Sequence, residues 1–90
     1  MTTETFLSIR YEEYTDRYYT DLYVNNTAKD HKYLTNHEAE ALRPYLHYLD
    51  DGKGEVVDVS VSEIMEQIED GDILLDEESN LYQMLERIRT

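Results

Sequence analysis

Apolar residues recur every second position in the first part of this chain and every third or fourth position in the rest. This change of period limits the folds that the chain can adopt. Between Thr5 and Val24 apolar and polar side chains largely alternate, which is typical of half-buried strands. From Thr35 onward apolar residues recur three and four positions apart, as in an amphipathic helix. The sequence therefore predicts an α+β fold.

The two N-terminal segments with alternating residues are predicted to form a β-hairpin. Residues 5–11 and 18–24 are the strands, and the polar residues between them form the turn. Residues 25–27 end the second strand, and the segment that follows, through Lys32, is predicted to be a loop.

A helix is predicted from Thr35 to Asp50. Thr35 and Glu38 fit a capping box, in which each side chain accepts a hydrogen bond from the other residue's backbone N–H. Pro44 interrupts the helical hydrogen bonds, but Leu42 and the other apolar residues keep their phase across it. We therefore expect one kinked helix and not two separate ones.

A strand and a second helix are predicted next. Residues 55–59 are rich in valine, which favours a third strand. Ser60 and Glu63 supply a second capping box, and Gly71 ends the helix that they start.

The C-terminal part completes the predicted order ββαβα(β)α. Residues 73–75 form either a short fourth strand or a buried connector, and Asp76 caps the last helix. The expected architecture is a small antiparallel sheet, made of the N-terminal β-hairpin plus one or two short strands, packed against three helices. At ninety residues, the chain is expected to form a single domain, residues 1–90.

Acidic residues are concentrated in the second half of the chain. Residues 50–86 hold thirteen of the twenty-one Asp and Glu residues and one base, whereas residues 1–49 carry a net charge of −3. This charge repels nucleic acid and anionic lipid, so we expect no direct nucleic-acid binding and no membrane binding. It predicts a basic protein partner.

The predicted helix between Val61 and Asp70 carries charges that its own stability does not require. Glu63, Glu66 and Asp70 lie three and four residues apart, where like charges cost about 0.2 to 0.5 kcal/mol per pair. They point away from the apolar face of the helix. We predict that they form a partner-binding surface; the alternative is a solvated face kept for solubility. Acidic residues in nearby loops and helix starts extend the predicted surface: Asp50, Asp51, Glu55, Asp72, Glu77 and Glu78.

Nine tyrosines are the second unusual feature of the composition. Tyr18 and Tyr19 point to opposite faces of their strand, so part of the hairpin should expose phenol rings. Tyrosine among acidic residues is typical of protein-binding surfaces, and we add Tyr19 and Tyr23 to the predicted partner-binding set. For any one tyrosine, a place in the core is the alternative.

Neither a catalytic site nor a metal site is predicted. His31, His37 and His47 lack the spacing of a zinc-binding pair and are expected on the surface. Residues 50–61 and 70–81 lack the glycine and the final acid of a calcium loop. We expect a protein without enzymatic activity or cofactor. Without cysteine, a basic leader or an apolar run of about 20 residues, it is expected to be cytoplasmic in its host cell.

In composition and charge layout the chain resembles the small acidic inhibitors made by phages and mobile elements, which include anti-CRISPR proteins and anti-restriction DNA mimics. The resemblance covers the whole chain, and no family motif assigns a role to a particular residue. It implies a non-enzymatic inhibitor that docks, as a monomer or homodimer, on a basic nucleic-acid-binding surface of a CRISPR effector or restriction enzyme.

Two other classes of protein share this composition. One is an immunity or antitoxin protein that neutralises a nuclease toxin, since such a toxin also presents a basic surface. The other is a halophilic structural domain, in which acidic residues serve solvation. The charge of a halophilic domain should be spread evenly, whereas here it is confined mainly to one half of the chain.

Overall fold

The described residues form one four-stranded antiparallel sheet and four short helices, which confirms the predicted α+β class. The structure is a computed structural model that describes residues 4–50, 52 and 54–89. Its strands lie in the order β3-β2-β1-β4. The elements are β1 (Thr5–Glu12), β2 (Arg17–Val24), β3 (Thr27–Tyr33), α1 (Asn36–Ala41), α2 (Arg43–Asp50), β4 (Val57–Ser60), α3 (Val61–Asp70) and α4 (Asn80–Arg89).

β1 and β2 form the predicted hairpin, and their pairing continues to Glu12 opposite Arg17. Asp16, in the turn, has a φ of 53°, a left-handed value that Asp adopts more readily than most residues. The register sets Leu7 opposite Leu22, and both side chains are buried. The alternation in the sequence therefore identifies the core face of the hairpin.

The segment after β2 is a third strand, so its prediction as a loop was wrong. Asn25 and Asn26 have φ values of 52° and 69°, as in the two-residue turns that join adjacent antiparallel strands. β3 then runs back along β2 as far as Tyr33 opposite Tyr19. Five of its seven residues are exposed, so this edge strand lacks the apolar alternation that predicts a strand.

Pro44 divides the predicted kinked helix into two helices. α1 is capped at Leu42, whose φ of −95° and ψ of 10° depart from helical values, and α2 begins at Arg43. The proline ring clashes with a carbonyl four residues back, that of Glu40, and supplies no N–H to bond it. Leu42 and Leu46 are nevertheless both buried, as their spacing predicts.

The helices cover one face of the sheet. α2 and α3 both contact β1 and β4. Leu7, Ile9, Leu22 and Val59 point from the strands into the core on that side. Alternate residues of the same strands point to the opposite face, which no described helix covers. None of the described helices is long and apolar enough to cross a membrane.

Residues 73–75 form a connector and not a strand. Ile73 and Leu75 are buried, whereas Leu74 is 78% exposed. In an extended segment neighbouring side chains point to opposite sides, so burying the first and third exposes the second.

α4 begins at Asn80 and not after Asp76, as the sequence predicted. Asp76 accepts a hydrogen bond from the Glu78 N–H at 2.9 Å, in the turn before the helix. Ser79 takes the capping position instead, because its hydroxyl accepts from the Tyr82 N–H at 3.0 Å. The acidic residues at 76–78 therefore precede the first turn of α4.

The capping box predicted at Ser60 does not form. Ser60 precedes α3, but its side chain makes no capping hydrogen bond. It is also the last residue of β4, where it pairs with Phe6, so its backbone follows the strand. At the other predicted box, Thr35 and Glu38 do bond reciprocally.

Ser79, which caps its helix, and Ser60, which does not, make a matched pair for a stability measurement. Ser79→Ala is expected to lower the free energy of unfolding by about 1 to 3 kcal/mol, because it removes the cap to Tyr82 and a 2.8 Å hydrogen bond to Glu38. Ser60→Ala should cost less than about 0.5 kcal/mol. Urea unfolding followed by circular dichroism measures both, and equal losses would contradict the assignment of the cap to Ser79.

Candidate partner-binding surface

α3 is an amphipathic helix whose inner side is fixed by the core. Val61, Ile64 and Met65 are buried, and Ile68 is half-buried beside them. Gly71 ends the helix with a φ of 83°, and the Asp72 N–H donates to the Gln67 carbonyl at 2.9 Å. This Schellman arrangement accepts glycine readily, because the left-handed conformation is strained for other residues.

The outer side of α3 exposes Glu63, Glu66 and Asp70, as the spacing predicts. We call these three carboxylates the α3 acidic face. Within the described residues none of them forms a salt bridge. Burial, with the Glu63 carboxylate nearby, raises the pKa of Tyr45 in α2. Of the α3 acidic face, Glu63 therefore lies nearest to Tyr45.

The acidic residues predicted to extend this surface have different surroundings. Asp50 ends α2 and accepts a hydrogen bond from the Tyr18 hydroxyl. Burial, together with this bond to the carboxylate, raises the pKa of Tyr18 to about 12, so Asp50 is tied to the sheet. Asp51 lies outside the described residues. The other predicted acids are exposed in the segments that precede β4 or follow α3: Glu55, Asp72, Glu77 and Glu78.

Tyr19 and Tyr23 do not join the α3 acidic face. They point to the open side of the sheet, opposite the side on which α3 packs. Tyr23 stacks on Phe6, with ring centroids 5.1 Å apart, and Tyr19 lies 5.9 Å from the Tyr33 ring. The predicted partner-binding set is thus divided between two surfaces of the molecule.

Leu74 is an exposed apolar side chain that the sequence did not single out. It lines a shallow depression of about 410 Å³ with Asp72, Pro44 and His37. An exposed leucine beside acidic residues can anchor a partner, because apolar contacts at the centre of an interface contribute much of its affinity. The signal in the sequence is the three-residue apolar run, in which one side chain must point outward.

A second feature that the sequence did not predict is a buried carboxylate. The Glu38 side chain is 1% exposed, and its Oε1 accepts from Lys32 Nζ at 2.7 Å and from the Thr35 N–H at 3.0 Å. Its Oε2 accepts from Ser79 Oγ at 2.8 Å and from the Leu81 N–H at 3.0 Å. We call these five residues the Glu38 cluster. It joins β3, α1 and the start of α4.

The hydrogen bonds of the Glu38 cluster also keep the Glu38 carboxylate ionised. Burial alone raises the pKa of the Glu38 carboxyl, but the donors from Lys32, Thr35, Leu81 and Ser79 outweigh it and lower the pKa to about 2. The carboxylate at the N-terminal end of α4 also has a favourable interaction with the helix dipole. Every oxygen of this group is occupied by a structural partner, so the cluster stabilises the fold and offers no free group for chemistry.

The histidines lie on the surface, as predicted. His31 Nδ1 is 2.7 Å from Asp21 Oδ1, and His37 Nε2 accepts from the Asp76 N–H at 3.3 Å. Among the described residues, no group of three His, Asp or Glu side chains is arranged to hold a metal ion. Comparison with protein families, curated proteins and solved structures finds no match to this chain.

Proposed function

We propose that this protein is a non-enzymatic inhibitor that docks the α3 acidic face on a basic, nucleic-acid-binding groove of a defence protein, such as a CRISPR effector or a restriction enzyme. The observation that carries the proposal is the outward exposure of Glu63, Glu66 and Asp70 in a segment, residues 54–86, that contains no Lys or Arg. Exposed charge of one sign attracts a surface of the other sign and speeds association.

The spacing of the carboxylates suits partial imitation of one nucleic-acid strand. Residues one helical turn apart lie about 5 to 6 Å from each other. Successive phosphates on one strand are about 3.4 Å apart along the duplex axis, so α3 alone is less densely charged than DNA. Acidic residues that follow α3, such as Asp72, raise the density. Exposed Leu74 adds an apolar contact that nucleic acid itself lacks.

Neutralising the α3 acidic face tests this function. The variant Glu63→Gln/Glu66→Gln/Asp70→Asn is expected to weaken binding to a CRISPR effector or restriction enzyme by about tenfold or more, because charged contacts across the interface are lost. The measurement is displacement of fluorescently labelled DNA from each purified enzyme. For the natural sequence, displacement should also weaken as salt rises from about 50 to about 200 mM, because salt screens exposed charge.

A matched control carries the same change of net charge elsewhere. Glu4, Glu13 and Asp30 are exposed in the N-terminal half, and their replacement by Gln, Gln and Asn leaves the α3 acidic face intact. We expect this control to displace DNA nearly as well as the natural sequence. If both variants lose the same affinity, only net charge matters and the docking proposal is wrong. If purified nuclease toxins bind the natural sequence and defence enzymes do not, the immunity hypothesis replaces it.

A further inference from the structure

The side of the sheet away from the helices carries two groups of aromatic rings, separated along the strands by Ser8 and Asp21. Phe6 on β1, Tyr19 and Tyr23 on β2 and Tyr33 on β3 all point to it, because each alternates with a residue of the core face. We call this side the open sheet face. Surfaces rich in tyrosine and phenylalanine are typical of protein interfaces.

The rings of the open sheet face are held in place by one another. Phe6 and Tyr23 are stacked with an interplanar angle of 12°, and the His31 ring lies 5.5 Å from Tyr19 and 5.6 Å from Tyr33. The Arg17 guanidinium lies over the Tyr33 ring at 4.6 Å. Side chains already ordered in the free protein lose little entropy when they bind.

Most charged groups of the open sheet face have a partner within the chain. Asp21 contacts His31 Nδ1 at 2.7 Å, and Glu12 accepts from the Tyr33 hydroxyl at 3.1 Å. Arg10 and Asp58 do not: both are exposed, and neither forms a hydrogen bond or salt bridge within the described residues. Among the described residues the face thus presents an unpaired cation, Arg10, and an unpaired anion, Asp58; Arg10 also lines a depression with the exposed Glu13 and Glu55.

We propose that the open sheet face is the interface of a homodimer, in which Arg10 of each copy pairs with the partner's Asp58. Asp58 lies opposite Ser8, so Arg10 is the next residue of β1 that points to the same face. A two-fold axis can lie in the plane between the two sheets and pass midway between these two side chains. It relates the two copies so that Arg10 of each copy meets Asp58 of the other, and both ion pairs form together. Such a self-complementary patch is what a two-fold interface requires.

The charge of this face favours a second copy as its occupant, and its size sets how tightly two copies bind. Its strands of eight, eight, seven and four residues, spaced about 4.8 Å apart, cover roughly 430 Å². Two such faces bury about 860 Å² in total, the size of a weak interface, so we expect a dimer that forms at high protein concentration. The net charge of −13 repels nucleic acid, and although it also repels a second copy, only a second copy supplies the Asp58 and Arg10 that pair with Arg10 and Asp58 of this face.

Charge reversal tests the dimer directly. Arg10→Asp alone and Asp58→Arg alone should each raise the dimer dissociation constant by about tenfold or more, since each places like charges opposite one another. An equimolar mixture of the two variants should form a heterodimer. The introduced aspartate of one variant then faces the introduced arginine of the other, and the unchanged Arg10 and Asp58 form the second pair. Sedimentation velocity over a concentration series measures all four samples, and circular dichroism confirms that each variant is folded.

Matched controls separate this proposal from the docking function. Arg87→Asp and Glu66→Arg repeat the two charge changes on helices and should leave the dimer unchanged. Salt should weaken docking of the α3 acidic face, whereas in the dimer it screens both the Arg10–Asp58 pairs and the repulsion between two acidic copies, so the charge-reversal variants and not salt decide the dimer. A natural sequence that stays monomeric at millimolar concentration, or a mixture of the two variants that fails to associate, overturns the dimer and leaves the docking proposal standing.

Discussion

Replacing Glu38 by Gln is expected to lower the free energy of unfolding by about 3 to 5 kcal/mol, because it leaves the Lys32 ammonium inside the protein without its carboxylate. The amide keeps the shape of the side chain but places an NH₂ group where one oxygen now accepts hydrogen bonds. With either orientation of the amide, two of the four donors then face another donor. A domain of ninety residues has a total stability of about 5 to 13 kcal/mol, so this variant should be only partly folded on warming.

The same substitution should change how stability depends on pH. The folded pKa of Glu38, about 2, is below the ordinary value of 4.5, so the ionised carboxylate stabilises the fold above pH 4.5 and that stabilisation is lost as pH falls towards 2. The difference between the natural sequence and Glu38→Gln is therefore expected to shrink by about 2 kcal/mol between pH 7 and pH 3. Urea unfolding at each pH gives this difference directly.

Glu40→Gln is the matched control for both measurements. Glu40 lies in the same helix, two residues away, and its pair with Arg43 at 2.6 Å is exposed to solvent. An exposed pair contributes about 0 to 1 kcal/mol. If Glu40→Gln and Glu38→Gln destabilise the protein equally, the buried cluster does not have the role assigned to it.

The features that sequence analysis predicted correctly depend on residues close together in the chain. The β1–β2 hairpin follows from alternation, the capping box at Thr35 joins residues three apart, and Gly71 ends α3 within one helical turn. The outward direction of the α3 acidic face follows in the same way, from the period of a single helix. Each of these is set by local geometry, so the sequence alone is enough.

Most of the features that it missed depend on contacts between distant residues, and even the local capping box predicted at Ser60 fails because β4 pairs Ser60 with Phe6. Glu38 and Leu81 are 43 positions apart, and only the folded chain brings the carboxylate to the start of α4. The β3 strand is polar and becomes a strand because the turn at Asn25 returns it to β2. Alternation showed that Tyr18 and Tyr19 point to opposite sides, but not which side the helices cover. The sequence therefore groups Tyr19 in one partner-binding set with the acidic residues of α3, and the structure places the two on different surfaces.

The two sides of α3 should respond to mutation in opposite ways. Ile64 is fully buried, and Ile64→Ala is expected to lower the free energy of unfolding by about 2 to 5 kcal/mol, through lost contacts and the cavity left behind. The variant Glu63→Gln/Glu66→Gln/Asp70→Asn should leave stability unchanged or raise it by up to about 1 kcal/mol, since it removes like-charge repulsion and an acid at the C-terminal end of the helix. Urea unfolding of the two variants side by side measures both effects.

If Ile64→Ala lowers the free energy of unfolding and the triple variant does not, the inner side of this ten-residue helix contributes to folding and its outer side does not. The fold would then not explain why the outer side carries three carboxylates. The docking assay on the same triple variant tests whether binding explains them. If the triple variant instead loses as much stability as Ile64→Ala, the α3 acidic face contributes to the fold. In that case a loss of binding in that variant would reflect unfolding and would not support docking.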